Sequence, residues 1–464
     1  MPGSFHGIDL ASRALRSFQR AIDVSGQNVA NVNTRGYSRQ AVDFAATDPV
    51  SFFSTNRQFL GTGVGITSVN RIRDMLLQGR QHQVTASLHQ FLTSSGSLRE
   101  VESVYNEPGP EGISNALDQF FNSWSGLASA PTDPAARMQV RTKAQTLIDR
   151  MKTAYRSLQD LKTQSQTEVQ STIGRINELA TQVGELNSAI RAAKVQGASP
   201  NDLMDRRDAA ISELSSLIQV NTAENSDGTM SVFASQFTLV DSFGAKSYPT
   251  SVNPATMEAT DGTNTFSIRG GKLAGLLTGI VQSDQSMAQL DDMANQIRAQ
   301  VNSLHRTGTN TPGTPPVAAN LNFFAQNDPP ALPMTGVMTL NLSNEVLSSP
   351  ANIMTSVTGL AGDGGLALSI SGLKNATMMG GKTLSNYHKE NMAALGQQIT
   401  YHQGARDTQT AIATQIENQQ QAISGVSLDD EMANMLRFQR SYQAAARMLS
   451  IFDQVTEDLI GMVR

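Results

Sequence analysis

The chain has 464 residues, a formal net charge of −5 and no cysteine. A negative chain argues against nucleic acid as the main partner, and the lack of cysteine excludes disulfides, thiolate metal sites and cysteine nucleophiles. No run of eighteen apolar residues occurs, so no membrane partner is predicted. Charged side chains interrupt every apolar stretch near the N-terminus, so we expect no cleaved signal peptide.

Apolar residues recur at heptad spacing at both ends of the chain. In residues 1–35, the N-terminal axial helix, the predicted seam contains Ile8, Ala11, Leu15, Phe18, Ile22, Ser25, Val29 and Val32. In residues 428–464, the C-terminal axial helix, it contains Met435, Phe438, Tyr442, Ala445, Leu449, Phe452, Thr456, Leu459 and Val463. Such a seam requires a helical partner. We therefore predict that the two helices pair with each other and with copies of themselves; a coiled-coil stalk or a helix hairpin on the chain's own globular part is the alternative.

Charge and energetics add two expectations about these ends. The first forty residues are net positive and the last forty net negative, which favours their apposition, although exposed ion pairs contribute little each. Burial of the seam offsets only part of the backbone entropy lost when about 30 residues order. We therefore expect the ends to be loose in a free chain and to order when neighbours cover them.

Between the ends, periodicity predicts helices interrupted by a β region. Residues 36–220 are predicted to form a helical bundle domain with a short extended segment near 36–70, helix over 71–105 and one long helix from about 135 to 195. The period changes to two in a β-rich outer insertion, 221–270. A helix over 271–305 returns to the bundle. Residues 306–364 form an outer loop and strand region, with a strand at Met338, Leu340 and Leu342, and 365–427 supply further bundle helices.

The predicted fold is therefore mainly α and multidomain. It has terminal coiled-coil helices, a long antiparallel helical bundle built from both halves of the chain, and a small β-rich outer insertion.

The residues offer no catalytic or metal-binding constellation. None of the six histidines has a metal-ligand spacing, and His82 and His89 are interpreted as a surface pair. No nucleophile elbow occurs. The compact charges of residues 205–208 favour an ion-pair network between helices over a solvated face. We predict no catalytic residue, no cofactor and no metal, and a protein that is not an enzyme.

Two terminal motifs carry a resemblance to a known class. Residues 28–40, Asn-Val-Ala-Asn-Val-Asn-Thr-Arg-Gly-Tyr-Ser-Arg-Gln, resemble the N-terminal signature of bacterial flagellar rod, hook and hook-associated proteins, and residues 424–449 resemble the matching C-terminal signature. Position 35 carries Arg where that class usually has Pro or an Ala-like residue. The signature residues that we single out are Asn28, Asn31, Asn33, Gly36, Tyr37, Arg39 and Gln40.

Interior segments narrow the resemblance. Residues 131–137, 201–208 and 270–277 are similar to segments of the flagellar hook-associated protein 1 family, and the likeness covers nearly the whole chain, least over 221–265 and 306–335. It implies a structural protein that joins the hook to the filament, is needed for filament assembly, and lies in the extracellular flagellum after export without a cleaved signal peptide.

The resemblance also implies the partners: copies of itself, hook subunits, a second junction protein or the filament side, and a cytoplasmic export chaperone at the C-terminal helix. The alternatives are another axial protein, such as a hook subunit or second junction protein, or a flagellum-borne adhesin or enzyme.

Overall fold

A computed structural model describes residues 6–34, 36–52, 58–107, 109–309, 319–326 and 336–462. The α-helices of these ranges are α1 His6–Ala30, α2 Met75–Tyr105, α3 Ile113–Ser129, α4 Pro134–Val195, α5 Asn201–Leu217, α6 Gly271–His305, α7 Asn344–Ser348, α8 Gly365–Gly372, α9 Leu384–Ser424 and α10 Leu428–Met462. The strands are β1 Gln40–Ala46, β2 Val50–Phe52, β3 Gln58–Leu60, β4 Val64–Arg71, β5 Asn221–Glu224, β6 Met230–Ala234, β7 Phe237–Asp241, β8 Gly244–Ala245, β9 Ser251–Asn253, β10 Glu258–Thr260 and β11 Thr265–Ser267.

The predicted mainly α fold is confirmed. Helices α2, α4, α6 and α9 form the body: α2 packs against α9 and α6, and α4 packs against α6, α3 and α5. Helix α1 packs against α10 and against the hairpin of β1 and β4. The structure defines elements rather than domain limits, so the domain boundaries given above stay predictions.

Helix α4 is the longest element, with 62 residues. The side chain of Asp133 accepts a hydrogen bond from the backbone N–H of Ala135 at 2.8 Å, and Pro134 occupies the first turn, where its missing N–H is not needed. At a rise of about 1.5 Å per residue the helix is about 93 Å long. The sequence predicts one long helix over this range, and it is confirmed.

Two hydrophobic cores lie one after the other along the body. The first contains the aromatic cluster of α3, with Phe120 and Trp124 fully buried, together with the N-terminal half of α4 and the C-terminal half of α6. The second joins the C-terminal half of α4, α5 and the N-terminal half of α6 to the β region. Helices α4 and α6 therefore contribute to both cores.

The β region of residues 221–267 comprises a four-stranded sheet of order β5-β6-β7-β8 and a three-stranded sheet of order β11-β10-β9. Buried Val232, Leu239 and Val240 belong to the second core. The side-chain amide of Asn187 on α4 donates to the carbonyl of Met230 at 2.8 Å and accepts from its N–H at 2.9 Å. The insertion is thus docked on α4 by both apolar and polar contacts.

Two local predictions are wrong in detail. No strand covers residues 338–342: Leu340 and Leu342 are buried, but the segment is a turn with one isolated bridge from Leu342 to Phe324. The helix predicted from residue 71 begins at Met75, because the side chain of Asp74 accepts from the N–H groups of the first turn and thereby starts the helix there.

Candidate assembly site at the chain ends

Helices α1 and α10 pack antiparallel in a constant register. A Cβ atom placed on Gly7 would lie 2.6 Å from ring atoms of Phe452, and Nδ2 of Asn28 donates to Oε2 of Glu431 at 3.1 Å. These contacts are 21 residues apart on each helix, from 7 to 28 and from 431 to 452. This equals three heptads, so the two helices stay in step over that length.

On α10 the side chains nearest to α1 follow the predicted heptad. Ala445 is buried. The half-buried members are Met435, Phe438, Tyr442, Leu449, Phe452 and Thr456. Leu459 is 45% exposed, and Val463 lies outside the described residues. Their role in assembly of copies stays a prediction.

On α1 the buried positions differ from the predicted seam. Of the predicted residues, Ile8, Leu15, Phe18, Ile22 and Val29 are half-buried, whereas Ala11 and Ser25 are buried. The buried set is Ala11, Ala14, Ser17, Ala21, Val24, Ser25 and Asn28. Small side chains occupy most of it because α1 is covered from two sides, by α10 and by the hairpin.

The hairpin of β1 and β4 closes the second side of α1. The hydroxyl of Ser17 donates to the carbonyl of Val64 at 3.3 Å. The ring of Phe44 on β1 lies between those of Phe18 and Phe438, with centroids 6.0 and 5.9 Å away. One aromatic side chain of the hairpin therefore contacts both terminal helices.

Four signature residues meet in a buried hydrogen-bonded group, which we call the signature knot: Asn28, Tyr37, Arg39 and Gln40, with Glu431. Nδ2 of Asn28 donates to the carbonyl of Gln40 at 2.9 Å and to Glu431. Oδ1 of Asn28 accepts from the Tyr37 hydroxyl at 2.8 Å and from the Gln40 N–H at 3.0 Å. Nε of Arg39 donates to Oε1 of Glu431 at 2.8 Å.

The centre of the knot is protected from water, while Tyr37 and Arg39 at its edge are half-buried. Asn28 is 1% and Glu431 2% exposed, and burial raises the pKa of the Tyr37 phenol to about 12, which keeps its proton available to Asn28. All four hydrogen-bonding positions of the Asn28 amide are used. The knot thus joins α1, the turn after it, β1 and the start of α10.

The remaining signature residues shape the turn. Asn31 donates to the carbonyl of Gln27 at 3.0 Å and accepts from Thr34, Asn33 is exposed, and Gly36 has φ +85°, which glycine adopts without strain. Residue 35 lies outside the described residues. The sequence identified the knot's N-terminal members but not Glu431, because a pairing over 403 residues has no local signal.

An ion-pair network anchors the hairpin to α5. Nη1 of Arg71 lies 2.7 Å from Asp205 and 2.9 Å from Asp208, and Arg73 bridges Asp208 and Glu224. Burial raises the pKa of Asp205, against the lowering by the Arg71 guanidinium. The predicted ion-pair network exists, but it joins α5 to β4 and to the segment before α2 rather than to another helix. Of residues 205–208, Asp205, Arg207 and Asp208 take part in it.

The interpretation of His82 and His89 as a surface pair is wrong for His82. Its side chain is 3% exposed, and it lines a cavity of about 790 Å³ between the turn at residues 31–38, α2, α5 and the end of α9. Burial lowers the pKa of His82. Its position between helices, rather than a heptad period, decides its exposure. His89 is half-buried.

The distal part of α10 carries a second apolar face, which we call the distal stripe. Its members are Met448, Ile451, Val455, Leu459 and Met462, with exposed fractions of 38, 60, 49, 45 and 77%. Spacings of 3 and 4 residues place them on one face of the helix. In the described part of the chain this face has no partner that buries it.

The described ranges contain neither a candidate metal site nor a helix that could cross a membrane. No group of three or more His, Asp or Glu side chains in them is placed to hold a metal ion. Among the same residues, no helix combines the length and apolar character that crossing a membrane requires.

Comparisons with known proteins agree with this geometry. The family model described as flagella basal body rod protein matches residues 8–37, and that of the flagellar basal body rod FlgEFG protein C-terminal matches 417–462. The model of the flagellar hook-associated protein FlgK helical domain matches 98–324. The two terminal matches cover α1 and α10, the helices that pack together, and place the chain in the class of flagellar axial proteins.

Relatives that match over nearly the whole chain indicate which flagellar axial protein it resembles. The chain is 29% identical to flagellar hook-associated protein 1 of Bacillus subtilis over 99% of both chains, and 25% identical to that of Escherichia coli over 98% of this chain and 99% of the relative. Over nearly its whole length the chain is thus similar to relatives named flagellar hook-associated protein 1, and it contains a segment that matches the FlgK helical domain. The resemblance stated from the sequence is thus confirmed.

A solved structure supports the fold. The structure of the flagellar hook junction protein FlgK from Burkholderia pseudomallei matches with a TM-score of 0.61 at 17% identity, over 75% of this chain and all of that chain. At this identity the likeness shows the fold alone.

Proposed function

We propose that this protein joins the hook to the filament as a structural subunit in the extracellular flagellum and is needed for filament assembly. Its partners would be copies of itself, hook subunits on one side, and a second junction protein or the filament on the other. Relatives named flagellar hook-associated protein 1, which match over nearly the whole chain, support this role. Before export, a cytoplasmic chaperone would cover α10.

The observation that carries the proposal is the distal stripe. Five large apolar side chains on one face of a terminal helix are between 38 and 77% exposed, and large exposed apolar faces mark contacts with other proteins. Covering them contributes on the order of 5 kcal/mol per contact, at roughly half the value for full burial of each side chain. Copies that pack through α1 and α10 would supply that cover.

The proposal is tested in a strain that lacks the chromosomal copy. Ile451→Asp together with Val455→Asp places two carboxylates on the distal stripe without entering the seam with α1. We expect the variant to be made and folded, with hooks present but filaments shed, as seen by electron microscopy. Phe243→Ser is the matched control, because Phe243 is 97% exposed but lies in the β region.

Two results would decide against the proposal. Normal motility of the double variant would show that the distal stripe is not used in assembly. A deletion strain without hooks, rather than with hooks and no filaments, would assign the protein to the rod or hook instead of the junction.

A further inference from the structure

Three arginines form a row on the solvent face of α1. Arg13, Arg16 and Arg20 are exposed at spacings of 3 and 4 residues, with Asp9 and Asp23 beyond the ends of the row. Within the described residues none of the three forms an ion pair with a carboxylate; Nη2 of Arg16 donates to the hydroxyl of Ser12 at 3.3 Å. The centre of the face is therefore positive and unneutralised.

Two carboxylates form a matching row on α10. Asp453 and Glu457 are exposed and one turn apart, and neither has an ion-pair partner in the part of the chain that the structure describes. The net positive and net negative ends of the chain were expected to attract each other. Among the described residues, however, Arg39 and Glu431 are the one ion pair that joins them.

The register explains why the rows do not meet within one chain. Since residue 7 is level with 452 and residue 28 with 431, Arg16 is level with position 443 and Arg20 with 439. Glu457 and Asp453 each lie 14 residues further along α10, which is about 21 Å. This exceeds two Debye lengths of about 8 Å at physiological salt, so attraction over that distance is screened.

We propose that Arg16 and Arg20 of one copy pair with Glu457 and Asp453 of a second copy shifted by about 21 Å along the helix axis. The inference rests on the proposed function and adds the register of the contact. Copies stacked with the same polarity keep α1 of one antiparallel to α10 of the next, as within a chain. With the helices antiparallel, Arg16 opposes Glu457 when Arg20 opposes Asp453, because the two arginines are four residues apart on α1 and the two carboxylates are four residues apart on α10.

The charges would fix the register rather than supply the affinity. Exposed ion pairs contribute about 0.2–1 kcal/mol each, less than covering the distal stripe, but a wrong shift would place Arg16 or Arg20 away from its carboxylate. Charge complementarity of this kind selects the partner and its position.

Cross-linking tests the register directly, because the chain has no cysteine of its own. In flagella assembled from Arg16→Cys/Glu457→Cys protein, a short bismaleimide should join copies into a ladder of oligomers. Asp9→Cys/Glu457→Cys is the control: its α1 site is on the same face but about 10 Å from the predicted level, and it should give no ladder. Equal cross-linking of both variants, or none with the first, would overturn the register.

Charge exchange is the independent test. Arg16→Glu/Arg20→Glu should lower incorporation into flagella about tenfold, and Asp453→Arg/Glu457→Arg should do the same. All four changes together should restore it. Failure of the combined variant, while wild-type protein is present at the junction, would refute the register alone. Absence of wild-type protein from flagella would refute the proposed function itself.

Discussion

The side chains of Asn28 and Glu431 are hydrogen bonded at 3.1 Å, although 403 residues separate them. Both are almost fully buried, and the same amide holds the backbone of Gln40 through two hydrogen bonds. Position 28 therefore joins the end of α1, the start of β1 and the start of α10 at one point.

Asn28→Asp should loosen α1 and α10 together. The new carboxylate oxygen would face Glu431 and the carbonyl of Gln40, so two acceptors lose their donor beside a like charge. Unsatisfied buried groups of this kind cost about 1–3 kcal/mol each. We expect faster amide hydrogen exchange along α1 and in the first turns of α10, measured by mass spectrometry. Asn33→Asp, at an exposed site of the same turn, should change nothing; equal protection in both variants would contradict the role of the knot.

Two glycines of α1 should respond with opposite sign. A Cβ atom at Gly7 would lie 2.6 Å from Phe452, whereas one at Gly26 would meet nothing within 4 Å. Gly26→Ala should raise helix stability by up to about 1 kcal/mol. Gly7→Ala should displace Phe452 and speed proteolysis where the start of α1 packs against α10. Limited proteolysis with mass mapping distinguishes the two. Similar cleavage of both variants would argue against close packing at Gly7.

Stability of the body should fall in acid because of His305. Its Nδ1 lies 2.7 Å from the carbonyl of Leu321, and its Nε2 accepts from the Met354 N–H at 3.0 Å, so protonation would remove the second bond. Burial lowers the pKa of His305 from 6.5 to about 4. The folded state then binds fewer protons than the unfolded state, so stability is full above pH 6.5 and is lost as the pH falls towards 4.

The loss from this group should reach about 3 kcal/mol, at about 1.36 kcal/mol per pKa unit. Urea denaturation at pH 7.5 and 4.5 measures it. His305→Gln should be less stable at pH 7.5 but should lose less stability between the two pH values than the wild type does. An unchanged slope in His305→Gln would rule out this origin.

Asp208→Asn should weaken the attachment of the hairpin to α5. Its carboxylate neutralises Arg71 and Arg73 and contacts Arg207 at 3.3 Å, and removal of one partner from a buried ion pair costs about 3–5 kcal/mol. Urea denaturation followed by circular dichroism should show this loss. Glu178→Gln, which removes a 69% exposed partner of Arg175, should stay within about 0.5 kcal/mol of wild type.

Regular periodicity made most helices predictable. Apolar spacing predicts the helix over 271–305 and the long helix ending at residue 195, and α6 and α4 occupy those ranges. The strand predicted at residues 338–342 shows the limit of that approach: Leu340 and Leu342 alternate with polar residues, but tertiary contacts bury them in a turn.

The terminal site was only partly predictable for a related reason. On α10 the predicted seam positions from Met435 to Thr456 are buried or half-buried, so their period identifies the face that packs on α1. On α1 a stripe of Ala and Ser lies beside the stripe of Leu15, Phe18 and Ile22, and close approach on two sides selects the small residues. Hydropathy alone favours the larger ones. The pairing of Asn28 with Glu431 and the burial of His82 depend on contacts between distant segments, which a single sequence does not encode locally.

Helix α4 runs without a break through both hydrophobic cores, from Val140 in the first to Val183 in the second. Bending it would require both cores to repack at once. The body should therefore be rigid, and torque applied at one end of a flagellar joint would be transmitted to the other end with little deformation. Compliance would then be confined to the connections between the body and the terminal helices.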